Sequence, residues 1–199
     1  MAVNFSESRT KENLMRAFAG ESQARNRYTI AADQADKEGM HTIADIFRYT
    51  ADQERAHAKR YYELLQECSG ETIRIEGTYP VDEQPSLTEL LRAAEHNEQE
   101  EFEDVYQEFG DTAKEEGFLE AASAFYQIAE VEHAHQKRFA KLAEMLENNC
   151  WYNGEEVRKW MCTNCGYIHE GRQAPSVCPV CRYDKGYMIP WELACYKTE

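Results

Sequence analysis

Apolar positions recur at intervals of three and four over long stretches of this chain, and glycines separate the stretches. From about residue 10 to 37, Leu14, Phe18, Tyr28 and Ala32 fall on this spacing or its multiples, with charged residues between them. That is the pattern of a helix with one buried stripe. Gly39 marks a break, and Ile43, Ile46, Phe47, Ala51, Ala58, Tyr61, Leu64 and Leu65 predict a second helix over about 40–68, ended by Gly70. From Glu71 to Pro85 the period is lost, and β-branched residues appear with Gly77, Pro80 and Pro85. Such a stretch is too long for a hairpin turn between antiparallel helices, but it can run the length of a bundle. Ser86-Leu-Thr-Glu89 then reads as a capping box, in which serine and glutamate satisfy each other's orphan amides. It opens a third helix to about Glu116; Gly117 separates this from a fourth, about Phe118 to Asn148. Two short turns and one long middle crossover predict an all-α four-helix bundle over residues 1–148.

The remainder has a different character. Residues 149–160 read as a polar linker holding Gly154, Trp151 and Trp160, and 161–199 as a second domain too small to fold on apolar burial alone. Four of the seven cysteines stand there in two C-x-x-C pairs, Cys162 with Cys165 and Cys178 with Cys181, 12 residues apart. Two such loops make a tetrahedral thiolate site that accepts zinc or a single iron. Gly166 favours backbone amides turned towards sulfur, which suits iron. Cys68, Cys150 and Cys195 are scattered, and the odd total is unlike a secreted disulfide framework.

Charge narrows the partners. With 37 acidic against 22 basic side chains the formal net charge is −15, which disfavours nucleic acid or an anionic membrane. No apolar run approaches the ~18 residues of a membrane span, and the N-terminal MAVNFSESRTKENL holds no apolar signal region. A cytoplasmic location is expected.

Two helices carry the same motif. Glu54-Arg-Ala-His57-Ala-Lys-Arg60 and Glu132-His-Ala-His135-Gln-Lys-Arg138 both read E-x-x-H-x-K-R before an aromatic residue. The three-residue step puts glutamate and histidine on one face, one turn apart. The other two helices offer Glu21 followed by Tyr28, and Glu98 and Glu101 followed by Tyr106; Glu21 lies 33 residues before Glu54, and Glu98 lies 34 before Glu132. A glutamate from each of two helices, with Glu-x-x-His from each of the other two, is the ferritin-like pattern for two metal ions. Carboxylates must lie between two close cations, and mixed oxygen and imidazole donors suit iron or manganese. A rival register pairs Glu95 with Glu98 and Glu130 with His133; the matching flanks favour Glu132 with His135. The hydroxyls of Tyr28 and Tyr106 are expected to bond ligating glutamates.

The stretches Ala19-Gly-Glu-Ser-Gln-Ala-Arg-Asn-Arg-Tyr28, Asp52-Gln-Glu-Arg-Ala-His-Ala-Lys-Arg60 and Lys159-Trp-Met-Cys-Thr-Asn-Cys-Gly-Tyr-Ile-His-Glu-Gly171, with Cys178-Pro-Val-Cys181, resemble the rubrerythrins over nearly the whole chain. The resemblance implies a two-iron site held by Glu21, Glu54, His57, Glu98, Glu101, Glu132 and His135, with Glu54 and Glu132 bridging. It implies one further iron on Cys162, Cys165, Cys178 and Cys181. Glu101 takes the place of the family's extra glutamate, which one iron is expected to leave for His57 on reduction. The implied activity is reduction of hydrogen peroxide to water in oxidative-stress defence. Electrons would come from a separate NAD(P)H-dependent reductase or a rubredoxin, and the assembly would be a homodimer or larger. No G-x-G-x-x-G follows a strand, so the nicotinamide is expected to bind elsewhere. Two other readings stand beside it: a ferroxidase or iron-storage protein, and a redox-silent scaffold with zinc in both sites. The tail from Asp184 to Glu199 matches no signature.

Overall fold

The computed structural model describes residues 3–195, so the outermost ends of the two expected domains, 1–2 and 196–199, lie outside the described residues. Five helices, α1 (Arg9–Lys37), α2 (His41–Leu64), α3 (Leu87–Glu100), α4 (Tyr106–Glu116) and α5 (Leu119–Glu147), form the bundle. Ser8 opens α1 by accepting from the Lys11 amide at 3.0 Å. Ser86 opens α3 by accepting from the Glu89 amide at 3.3 Å, half of the expected box; the Glu89 side chain accepts from the Ser86 hydroxyl at 2.6 Å, where the expectation was the Ser86 amide. The tight turns close on Gly39 and Gly117, with φ of 71° and 92°, a left-handed conformation that costs a Cβ-bearing residue more than glycine.

The third helix of the bundle is α3 and α4 joined by a π-helical turn at Glu101–Val105, where the periodicity predicted one unbroken helix. The turn accommodates one extra residue. Tyr28 lies seven residues after Glu21, whereas Tyr106 lies eight after Glu98; from either tyrosine to the next E-x-x-H glutamate the step is the same 26 residues. The unequal spacings of 33 and 34 therefore differ by the residue absorbed in the π turn. At about 100° per residue, eight regular steps would leave Tyr106 some 80° away from the face of Glu98. Absorbing one residue brings both inward.

The crossover lies along α1. Arg16 donates to the Glu76 carbonyl at 2.9 Å, Tyr79 to the Arg16 carbonyl at 3.1 Å, and Gln23 to the Pro80 carbonyl at 2.7 Å. Asp82 accepts from Arg27 of α1 and Asn97 of α3.

The bundle has two apolar clusters rather than one continuous core. One holds Tyr28, Phe47, Leu91 and Phe139; the other Leu14, Tyr61, Tyr106 and Phe125. Glu21, Glu54, Glu98, Glu132 and His135 are buried charged or polar side chains outside both clusters.

Three antiparallel strands, β1 (Asn153–Cys162), β2 (Ile168–Gln173) and β3 (Met188–Pro190), form a sheet in the order β2-β1-β3. The segment 149–160, expected as a linker, is from residue 153 onward the central strand. Its polar sequence has a reason: Asn153 to Lys159 includes no buried residue, and full burial begins at Trp160. Trp160 donates to the Trp151 carbonyl at 2.9 Å. Trp151, Ile189 and Ala194 belong to the first bundle cluster, so the small domain is packed onto the helices. At that junction a Cβ on Gly186 would collide with the Gly39 carbonyl oxygen, and the His41 ring packs on Tyr187 with centroids 4.5 Å apart.

Candidate metal centres

Two interpenetrating sets of donors converge inside the bundle. Glu21, Glu54, His57 and Glu132 form one; Glu54, Glu98, Glu132 and His135 form the other. In each set every residue offers a donor atom within 4.8 Å of the others. Glu54 and Glu132 belong to both. Nδ1 of His57 lies 2.9 Å from Glu132 Oε1 and 3.2 Å from Glu54 Oε2. Nδ1 of His135 lies 2.8 Å from Glu132 Oε2 and 3.0 Å from Glu54 Oε1. Each shared carboxylate thus turns one oxygen to each histidine, which is how a carboxylate bridges two cations.

The donor set fits a metal pair on a second ground. Glu21 Oε2, Glu54 Oε1, Glu98 Oε2, both oxygens of Glu132 and His135 Nδ1 are buried with no hydrogen-bond partner. These atoms have lone pairs that face a common point. Orphaned oxygens in such number would be costly without a cation to receive them. Oxygen and imidazole donors around two adjacent centres suit divalent iron or manganese.

The electrostatics of the donor cluster show the same crowding. Burial and the neighbouring Glu54 raise Glu98 to about 8. Burial, then Glu132, raises Glu21 well above the ordinary carboxylate range. Burial also works against an ionised Glu54, but the adjacent His135 and His57 imidazoles outweigh it and pull this carboxyl to about 2. Burial opposes a charged His135 as well, yet Glu132, Glu54 and Glu98 hold it up at about 12. The imidazolium protons thus balance part of the buried carboxylate charge.

The tyrosines link the two hairpins reciprocally. Tyr28 of the first donates to Glu98 of the second, and Tyr106 of the second donates to Glu21 Oε1 of the first at 2.6 Å. Both rings are buried, Tyr28 against Phe139 and Tyr106 against Tyr61. Aromatic layers therefore close the site at both ends.

Glu101 stands apart. It belongs to neither donor set, although burial and then Glu21 and Glu98 raise its carboxyl well above the ordinary range. His57 is the fourth member of the first set. The rival register is not assembled: Glu95 pairs with Arg92, Glu130 is exposed, and the His133 ring stacks on Phe102 at 4.1 Å.

Periodicity gave no warning of the partners of His135. Its Nε2 lies 3.1 Å from Gln53 Oε1, which also accepts from Arg138 at 3.0 Å; Arg138 donates in turn to Thr50. Equivalent positions in the two hairpins are 78 residues apart, as His57 and His135 are, so Val131 stands where a matching anchor for His57 would be. His135 is thus anchored through Nε2 by a polar side chain of the other hairpin, while the position corresponding to that anchor for His57 is apolar. Tyr61 was legible only as an apolar position. It follows His57 by one turn on the inward face, and its buried hydroxyl has no hydrogen-bond partner.

The C-terminal cysteines make the second centre. Cys162 and Cys181, and Cys165 and Cys178, each approach to 3.7 Å between sulfurs. A tetrahedron with corners about 2.3 Å from its centre has edges of about 3.8 Å. Gly166 and Arg182, each following the second cysteine of a pair, take φ of 78° and 65°. The turns aim the Tyr167 amide at Cys165 and the Tyr183 amide at Cys181. The Tyr183 amide and the Asn164 side chain hold Cys181 down at about 6, whereas burial pushes Cys162 up to about 12. None of the seven cysteines is in a disulfide.

Comparison with known proteins agrees with this arrangement. The rubrerythrin family profile matches residues 12–143, and that of the rubrerythrin rubredoxin-like domain matches 160–188. Rubrerythrin-1 of Clostridium acetobutylicum is 46% identical over 182 residues, 90% of this chain and 93% of that protein. The rubrerythrin of Nitratidesulfovibrio vulgaris is 42% identical over 180 residues, 90% and 93% of the two chains. Among solved structures, fully reduced, all-ferrous nigerythrin superposes with a TM-score of 0.62 at 28% identity, covering 96% of this chain and 94% of that one. A bacterioferritin of Desulfovibrio desulfuricans, solved with its diiron site in different catalytic states, gives 0.62 at 25% identity over 71% and 81%. With both of its parts matched and both metal-ligating constellations assembled, the chain belongs to the rubrerythrin family.

Proposed function

We propose that this protein is a non-haem di-iron peroxidase that reduces hydrogen peroxide to water and is re-reduced through a four-cysteine iron. The observation that carries the reading is the pair of donor sets sharing Glu54 and Glu132, on the same chain as a four-sulfur site. A bound iron pair supplies two electrons and a template for the O–O bond. The protein's own part is positioning. Glu54 and Glu132, common to both donor sets, would hold both ions, with Glu21 and His57 completing one set and Glu98 and His135 the other. Gln53 fixes the ring orientation of His135. Tyr28 and Tyr106 orient the terminal glutamates and place hydroxyl protons beside them. The aromatic layers keep bulk water out. Glu101, close to the cluster yet outside both sets, is free to exchange with His57. The electron donor is a separate NAD(P)H-dependent reductase or a rubredoxin, the protein acts in the cytoplasm against oxidative stress, and the working unit is a homodimer or larger.

The test begins with metal content. The anaerobically reduced protein is then mixed with one equivalent of hydrogen peroxide in a stopped-flow spectrometer, beside a mix with air-saturated buffer. Fast return of both ferric signals with peroxide and slow return with dioxygen is the expected result. The likeness to bacterioferritin favours a ferroxidase as the second reading. Oxidation of the two-iron site with no response in the four-sulfur band would select it. Zinc in both sites would overturn both.

A further inference from the structure

A cavity of about 320 Å³ lies between the crossover, α1 and the π turn. Ala17 and Gly20 form its α1 wall, Gly77 and Tyr79 its outer cover, and Glu101 and Tyr106 its inner end. The Tyr106 hydroxyl donates to Glu21 at 2.6 Å. The space therefore stops one side chain short of a ligand set.

Three observations make it more than a packing defect. Gly20 sits mid-helix without a left-handed backbone, and a Cβ there would meet only the Tyr79 ring, at an ordinary 3.6 Å. Neither backbone nor close packing requires a glycine at a position where alanine would favour the helix; the missing side chain keeps the cavity wall open. The cover belongs to a segment without helix or strand, where Thr78 and Pro80 flank Tyr79, and Tyr79 is 39% exposed with its hydroxyl on the Arg16 carbonyl at 3.1 Å. Finally, the arginines lining the space are engaged, Arg16 with Glu12 and Arg27 with Asp82, while Glu101 closes the inner end. Such a lining disfavours anions and admits a small uncharged molecule.

We propose that this cavity is the route by which a small neutral oxidant, hydrogen peroxide on the reading above, reaches the metal pair, with Gly20 as its constriction and Tyr79 as its lid. The route rests on that reading for the identity of the oxidant but not for its geometry.

The experiment follows two reactions of the fully loaded, reduced protein in stopped flow. One is reoxidation by hydrogen peroxide; the other is association of nitric oxide, a neutral probe that requires no peroxidase activity. Gly20→Leu is expected to slow both by about tenfold, and Tyr79→Ala to speed both by about twofold or more, at unchanged metal content. Wild-type rates for both molecules in both variants would overturn the route. If Gly20→Leu fails to load metal, Tyr79→Ala decides alone, and unchanged rates overturn the proposal. Should nitric oxide respond as expected while wild-type protein does not reduce peroxide, the route stands and the peroxidase reading falls.

Discussion

Glu54 and Glu132 carry the geometry of the site, but the tyrosines decide how firmly each half of it is held. Tyr106 supports only Glu21, and Tyr28 only Glu98. Tyr106→Phe should therefore weaken the metal bound by Glu21 and His57 by about 10-fold or more and spare the other; Tyr28→Phe should do the reverse. Chelator competition with two resolved affinities reads the difference, and equal losses at both sites in either variant would sink the idea. The titrations make a second prediction, for metal-free protein. The Glu98 contribution to stability is complete below the ordinary carboxylate pKa and is lost as pH rises through about 8. That of His135 is present below the ordinary histidine value and is lost on the way to about 12. Glu54 acts oppositely, its contribution vanishing as pH falls through about 2. Metal-free protein should thus melt highest at about pH 4.5, lose stability steadily above it as Glu98 and then His135 give up their contributions, and be clearly lower at pH 9. A melting temperature that climbs from pH 5.5 to 9 would refute this. The E-x-x-H pairs were readable because a three-step spacing fixes a shared face. Gln53, Thr50 and Arg138 were not, because their roles depend on which helix packs opposite, and no local period records that.

At the scale of elements, the helices and their turns follow from apolar period and glycine placement, and the π turn does not. A π turn has no composition of its own. Its one trace was the mismatch of 33 against 34 residues, which acquires meaning once Glu98 and Tyr106 are both seen to face inward. The β1 strand was hidden for the opposite reason: too few of its residues are buried to produce an alternating pattern. Glycines can be sorted by what each is for. Gly117 is left-handed, its amide donating to Lys114, while the next amide, of Phe118, reaches the Ala113 carbonyl. Gly117→Ala should destabilise by about 1 kcal/mol, whereas Gly20→Ala should stabilise by about 0.5–1 kcal/mol. Chemical denaturation of both variants measures the pair, and the same sign for both would contradict the assignment.

For the molecule as a whole, the two centres are coupled through packing. Trp151, Ile189 and Ala194 lie in the same cluster as Phe47 and Phe139, while the domain that supplies them has a core of only Trp160, Cys162, Cys178 and Met188. A core this small depends on its metal. Cys178→Ser should therefore unfold the sheet and lower the melting temperature of the bundle as well; a bundle transition unmoved by the loss would show the two parts to be independent. That the chain has two parts was plain from the cysteine spacing. That they share a core was not, since Trp151 and Trp160 stood in a stretch read as linker.

The reciprocal arrangement of donors has one more consequence. Severed within the crossover, the chain would yield two polypeptides, one with Glu21, Glu54 and His57, the other with Glu98, Glu132 and His135. Each ligand set takes three donors from one piece and its fourth from the other, so neither piece alone completes a centre. Produced separately, the halves should reconstitute as a split protein whose affinity rises steeply with ferrous ion and falls on chelation. The metal would then serve as the splice between two ancestral-looking hairpins.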